Sequence, residues 1–273
     1  MKTTTLALWA AHLVLIASSQ GAVVISSQNV PVISTFDSLP AASEFSTSAG
    51  LDSAGGGGAV TSAAGMDTAL NANATVSAAG LTSALVSSST WPTSQANLGR
   101  FNTGANTGES NGGFLQFRPT GCAYAVTMAT LSNATGAPIT ALQISYDYFA
   151  STTSTADEDI DGLRAYYSLT GTAGSWVSIV ALSADSTVTT GTISAPEALS
   201  TTLDLTATPW AAGTNFYILW ADDNGPANAD AANLTNERAY GIDNLSLTAV
   251  PEPTTLTAAL VGLLAIGRRR RRA

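Results

Sequence analysis

From residue 113 onward the chain alternates large apolar side chains with small or polar ones in short runs. The clearest run is Ile139 to Phe149 (ITALQISYDYF), which sets Ile144, Tyr146 and Tyr148 on one face and Ser145, Asp147 and Phe149 on the other. A period of two is the period of a strand, and no helical period interrupts it. Similar runs occupy Phe114–Phe117, Tyr124–Leu131, Leu163–Leu169, Trp176–Leu182, Thr187–Ile193, Leu199–Leu205, Phe216–Trp220 and Ile242–Val250, with turn-forming residues between them. Such spacing predicts an all-β fold, an antiparallel β-sandwich with a jelly-roll-like topology. Residues 23–39 predict one or two short strands broken by Pro31. Residues 40–113 are poor in large apolar side chains, rich in Ser, Ala, Gly and Asn, and contain the run Gly55 to Gly58. That composition predicts either a flexible loop or loosely patterned strands.

The two ends break this pattern. Residues 1–22 begin with a positive Lys2, continue through an apolar stretch from Leu6 to Ala17, and end in the small residues Ala17-Ser18-Ser19 and Gly21-Ala22. This is the plan of a secretory signal peptide: a helix of about a dozen apolar residues is too short to span a bilayer and is cut away. Residues 251–273 have three parts. Pro251-Glu252-Pro253 is stiff and extended, because both prolines fix φ and push the preceding residue away from the helical region. Thr254 to Gly267 is uncharged and mostly apolar, and predicts a short transmembrane helix. Arg268, Arg269, Arg270, Arg271 and Arg272 form a basic stop that the positive-inside rule keeps cytoplasmic. Fourteen helical residues reach about 21 Å against a hydrocarbon core of roughly 30 Å, so the segment suits a transient stop better than a permanent anchor. The exported domain then spans residues 23–250.

This three-part tail resembles the PEP-CTERM sorting signal of Gram-negative bacteria. The resemblance implies Sec-dependent export, transient anchoring in the inner membrane, and processing by an exosortase-type enzyme. Cargo so marked goes to the cell envelope, cell surface or extracellular matrix. Pro251, Glu252 and Pro253 would be the recognition residues, as substrate rather than as catalyst.

A second resemblance covers about residues 113–250. The segments SNATGAPITALQISYDYF, DIDGLRAYYSLTGTAGSWVSI, FYILWADDNGP and AYGIDNLSLTAVPEP occur in an order similar to that of an extracellular β-sandwich module of planctomycete and verrucomicrobial type. The resemblance implies fold and location, not chemistry. Tyr148-Phe149 departs from it, standing where an acidic-aromatic pair is usual.

Charge narrows the chemistry. The chain has a net charge of −9, and between residues 23 and 250 only Arg100, Arg118, Arg164 and Arg238 face eighteen Asp and Glu, a difference of −14. Nucleic-acid binding requires basic patches that release counterions, so it is not expected. The only histidine, His12, lies in the leader. The exported part therefore has no His base, Ser-His-Asp triad or His-ligated metal. Cys122 is the only cysteine, so an intramolecular disulfide and a CxxC site are both excluded.

What chemistry remains rests on carboxylates. Asp157, Asp159, Asp161 and Gly162 have the Asp-x-Asp-x-Asp-Gly spacing of a calcium loop, but Ser168 stands where an EF-hand needs a bidentate Glu. Asp222-Asp223-Asn224 ends one strand and Asp243-Asn244 begins another; if those strands pair, both groups meet at one rim. These six aspartates are the candidate calcium ligands. The alternative at each position is turn chemistry, with Asp and Asn closing their own backbone turns. A carboxylate-pair glycosidase would draw on Asp147, Asp159, Asp161, Asp222 or Asp223, although no motif selects a pair. Tyr146, Tyr148, Tyr166, Tyr167 and Trp176 offer sugar-stacking rings, and most are better explained as sandwich core. The leading expectation is a non-enzymatic surface or matrix protein of structural or adhesive type, without a cofactor. The runner-up is a calcium-dependent carbohydrate-binding module whose partner is an extracellular polysaccharide.

Overall fold

The computed structural model describes residues 21–49, 51, 60–91, 96–104, 112–151, 160, 162–183, 196–224 and 239–250. In chain order these form β1 (Val23–Ile25), β2 (Val32–Ser34), β3 (Phe45–Thr47), the helix α1 (Ala63–Ala72), β4 (Ser83–Ala84), β5 (Val86–Ser88), β6 (Arg100–Asn102) and β7 (Phe114–Phe117). The long strands follow: β8 (Tyr124–Asn133), β9 (Ala141–Ser151), β10 (Arg164–Ser168), the short β11 (Val177–Ser178) with a 3-10 turn at Val180–Leu182, β12 (Glu197–Asp204), β13 (Asn215–Asp223) and β14 (Ala239–Val250).

Two sheets of seven strands result. The first runs β11-β10-β13-β8-β3-β4, with β1 also on β8; the second runs β12-β9-β14-β7-β6-β5, with β2 also on β14. From β7 to β14 almost every connection crosses between the sheets, and the orders β7-β14-β9-β12 and β8-β13-β10-β11 are those of a jelly roll. All six pairings within these eight strands are antiparallel. The smaller N-terminal strands depart from the expectation of a wholly antiparallel sandwich, since β1 joins β8 and β5 joins β6 in parallel. Each parallel pairing involves a strand of three residues, and each partner already has an antiparallel neighbour on its other edge.

Alternation places the main core between the sheets. Phe216, Ile218 and Trp220 of β13 meet Ile144, Tyr146 and Tyr148 of β9 and Tyr240, Ile242 and Leu247 of β14. The opposite face of β13 and β8 is also apolar: Leu219, Ala221, Val126 and Met128 lie under Met66 and Leu70 of α1. A sheet buried on both faces reads as a continuous apolar run, which is the character of FYILWA.

The helix was not foreseen in the Ser/Ala/Gly-rich stretch. Its apolar stripe consists of Met66 and Leu70, one turn apart, too sparse to mark a helical period. Ser62 caps its start, the hydroxyl accepting from the Gly65 N–H at 3.1 Å. Asn71 fastens its end to the sheet, donating to Trp176 O at 3.1 Å while its carbonyl accepts from Trp176 N at 2.9 Å. The Trp176 indole in turn donates to Val76 O at 2.8 Å.

The predicted strand Thr187–Ile193, residues 1–20 with the signal helix, and residues 251–273 with the sorting tail lie outside the described residues. Among the described residues, no helix is long and apolar enough to cross a membrane.

On the outer face of the second sheet, Trp91, Phe114 and Phe149 form a cluster of edge-to-face rings with centroids 4.9–5.8 Å apart. Gly241 makes room for it, because a Cβ there would sit 2.1 Å from the Phe149 ring. Gly241→Ala should therefore displace that ring and cost about 1–3 kcal/mol, as overpacking does. Equilibrium urea denaturation measures this, and an unchanged midpoint would show that the cluster does not brace the sheet.

Candidate functional site

The acidic groups singled out in the sequence are divided by the fold. The six-residue connection from Phe117 to Tyr124 puts the end of β7, the start of β8 and the end of β13 at one end of the sandwich, with the start of β14. Asp222 and Asp223 stand at this rim, opposite Ala125 and Tyr124. By alternation Asp222 shares the face of Trp220, toward the second sheet, and Asp223 shares the face of Ala221, toward the helix layer. Both are buried, and both are engaged by neighbouring groups. The following Asn224 staples the rim, its N–H donating to Ala123 O at 3.0 Å and its side-chain amide to Cys122 O at 2.6 Å. Cys122 is buried and in no disulfide.

Asp243 does not join them through strand pairing. It lies on β14 in the second sheet, whereas Asp222 and Asp223 lie on β13 in the first. It is also the fifth residue of its strand rather than the first. Its cross-strand partner is Asp147 of β9, and the register shifts just beyond it, between Asp243 and Ser246. Asn244 produces this bulge: φ is +51°, its N–H donates to Asp243 Oδ1 at 2.7 Å, and its amide donates to Asp147 Oδ2 at 2.9 Å. Asn tolerates the left-handed region better than most residues, so Asp243-Asn244 is local bulge chemistry. Asp157, Asp159 and Asp161 lie outside the described residues. Of their neighbours, Ile160 packs into the helix-side core and the Gly162 N–H donates to the Tyr240 hydroxyl at 3.1 Å. Among the described residues, no three His, Cys, Asp or Glu side chains gather as metal ligands would.

The candidate sugar-stacking rings are mostly interior. Tyr146, Tyr148, Tyr166 and Trp176 are buried, and half-buried Tyr167 stacks on Phe216 at 5.6 Å. One aromatic at a cleft was not anticipated. Tyr217 follows Phe216, so alternation turns it to the outer face of the first sheet, at the edge of the area covered by the helix layer. There a shallow cleft of about 400 Å³ runs between the segment around Ser43 and the wall formed by Ala78, Leu81 and Thr82. Met128, Thr130, Asn215 and Tyr217 form its floor. The signal was available in NFYILW, where a Tyr stands out of phase with the core-facing Phe, Ile and Trp.

The tail supplies the link to known proteins. Residues 249–272 match the PEP-CTERM protein-sorting motif. The PEP-CTERM signal marks the chain for processing by an exosortase and for sorting to the cell exterior. The matched residues include Pro251, Glu252 and Pro253 and the basic run through Arg272, and the match begins on the last two residues of β14. No curated protein matches the chain.

Two tyrosines report on the packing that positions the rim. Burial, outweighing the opposing influence of the neighbouring Trp220 indole, pushes the Tyr146 phenol far above its usual range; its hydroxyl donates to Leu182 O. Burial also raises Tyr166, helped by the Asp67 carboxylate of α1 and opposed by Arg164. An unfolded tyrosine ionises near pH 10, so these two contribute stability that is fully present below about pH 10 and lost as pH rises above it. The unfolding free energy from urea denaturation should fall between pH 8 and pH 11, by roughly 1 kcal/mol per buried phenol. Tyr166→Phe should reduce that fall, and an equal fall in the variant would remove Tyr166 from the account.

Proposed function

We propose that the protein is a structural or adhesive component of the bacterial surface or extracellular matrix, and that it catalyses no reaction. The observation that carries this reading is the PEP-CTERM motif at residues 249–272, which begins on the last two residues of the final strand of a β-sandwich. The motif gives the destination. The body favours a binding or scaffolding role there, since from residue 23 to 250 it has no histidine and a single cysteine, which is buried. In this reading the leader directs Sec export, and the apolar stretch Thr254 to Gly267 holds the chain briefly in the inner membrane. Exosortase then releases the sandwich, a module of the planctomycete and verrucomicrobial type. The acidic excess of the exported part suits life outside the cell without nucleic-acid partners.

Deleting residues 251–273 tests the reading in a host that carries an exosortase. The full chain should fractionate with the cell surface or matrix, and mass spectrometry should find its mature C-terminus near Pro251–Pro253. The truncated chain should be exported but lost from that fraction. Identical fractionation of the two would overturn the proposal.

A further inference from the structure

We propose that the cleft beside Tyr217, on the outer face of the first sheet, binds a segment of an uncharged polysaccharide chain. This deepens the reading of the protein as a surface component by naming what it holds, and it rests on that reading. The site is distinct from the acidic rim and requires no calcium.

The lining carries the argument. It combines hydroxyls from Ser43, Ser46, Thr82 and Thr130, the Asn215 amide, and the Tyr217 ring over a floor that includes Met128. Among the described residues no charged side chain lines it, although the exported part as a whole is strongly acidic. Hydroxyls and an amide match the donors and acceptors of sugar hydroxyls, and an aromatic ring offers a flat apolar surface for the C–H face of a pyranose. A cation would find no carboxylate here, and an anionic polymer would meet the negative field of the whole domain. An added peptide strand is disfavoured by the floor itself: β8 is paired on both edges, by β13 on one side and by β3 and β1 on the other, leaving no open ladder beneath the cleft. The cleft is shallow and open to solvent, which suits the interior of a long chain better than an enclosed small molecule.

The site is also pre-organised. The Tyr217 ring is backed by Gly171, where an added Cβ would lie 2.7 Å from the ring and 2.8 Å from Ala78. The Ala78 N–H donates to Gly171 O at 2.7 Å, and turn bonds from Gly80 and Leu81 to Ser77 O, at 3.0 and 2.8 Å, stiffen that wall. The facing wall is tied to the floor by the Thr130 N–H, which donates to Glu44 O at 2.8 Å. A ligand entering such a cleft spends little of its binding free energy on ordering the protein.

Affinity electrophoresis of the full chain tests the proposal, in native gels containing dextran, galactomannan or mixed-linkage β-glucan, with alginate as the anionic comparison, each with and without EDTA. At least one neutral polymer should retard the protein, equally with EDTA present. Tyr217→Ala should weaken the apparent affinity at least about tenfold, while Tyr217→Phe, which keeps the ring, should stay within about threefold. Thr82→Arg, on the exposed wall, should obstruct the cleft and weaken retardation about as much as Tyr217→Ala without touching the core; circular dichroism checks the fold of each variant. The proposal is overturned if no neutral polymer retards the wild type, if only alginate does, if EDTA abolishes the effect, or if folded Tyr217→Ala and Thr82→Arg bind as the wild type. Retention of this binding by a chain whose tail deletion leaves localisation unchanged would sink the sorting-based reading and leave the cleft standing.

Discussion

The pairing of β8 with β13, nine residues in continuous antiparallel register, makes a ribbon that is apolar on both faces. Everything else answers the demand that both faces be kept from water. The second sheet covers one of them and closes the sandwich core. The other face is left to the N-terminal part of the chain, which supplies a capped helix and the segment through Val76 and Leu81. The apolar anchors there are few, namely Leu51, Val60, Met66, Leu70, Val76 and Leu81. The hydrogen-bonded clamp between Asn71 and Trp176 therefore matters more than it would in a larger layer, because it fixes the helix where burial alone supplies little.

This arrangement also explains what was and was not legible in the sequence. The long strands were read from their period, and Ile139–Phe149 corresponds to β9 with an offset of two residues. The jelly-roll order followed from the spacing of strands without helices between them. The layer over the first sheet was not legible, because Ala, Ser and Gly dominate it and a stripe of two large residues does not register as a helix. Trp176–Leu182 read as a strand, yet only Val177–Ser178 pairs; the chain then turns in 3-10 fashion so that Ile179 and Leu182 can reach the core.

The candidate site was legible in residue type and not in place. Asp222 and Asp223 were identified, but sequence distance says nothing about which sheet a strand joins. Asp243 looked equivalent and instead forms part of a bulge with Asn244 and Asp147. Tyr217 was passed over for a related reason. Its neighbours are core residues, and only the sheet's second burial layer, with its incomplete coverage, turns its outward face into part of a cleft floor. Composition bears on chemistry in another way, since the want of histidine from residue 23 to 250 removes His-based reaction classes wherever the strands fall.

β14 gives the molecule a direction. Its twelve residues run from the rim that carries Asp222 and Asp223 to the end where Val250 lies opposite Ala141, a rise of about 40 Å. The sorting motif begins at that far end. The rim that carries Asp222 and Asp223 and the start of the motif therefore lie at opposite ends of one strand. The cleft lies on the outer face of the first sheet, with Asn215 and Tyr217 at the start of β13, toward the end opposite the acidic rim. One strand thus carries the chain from the acidic rim to the start of the sequence that an exosortase processes.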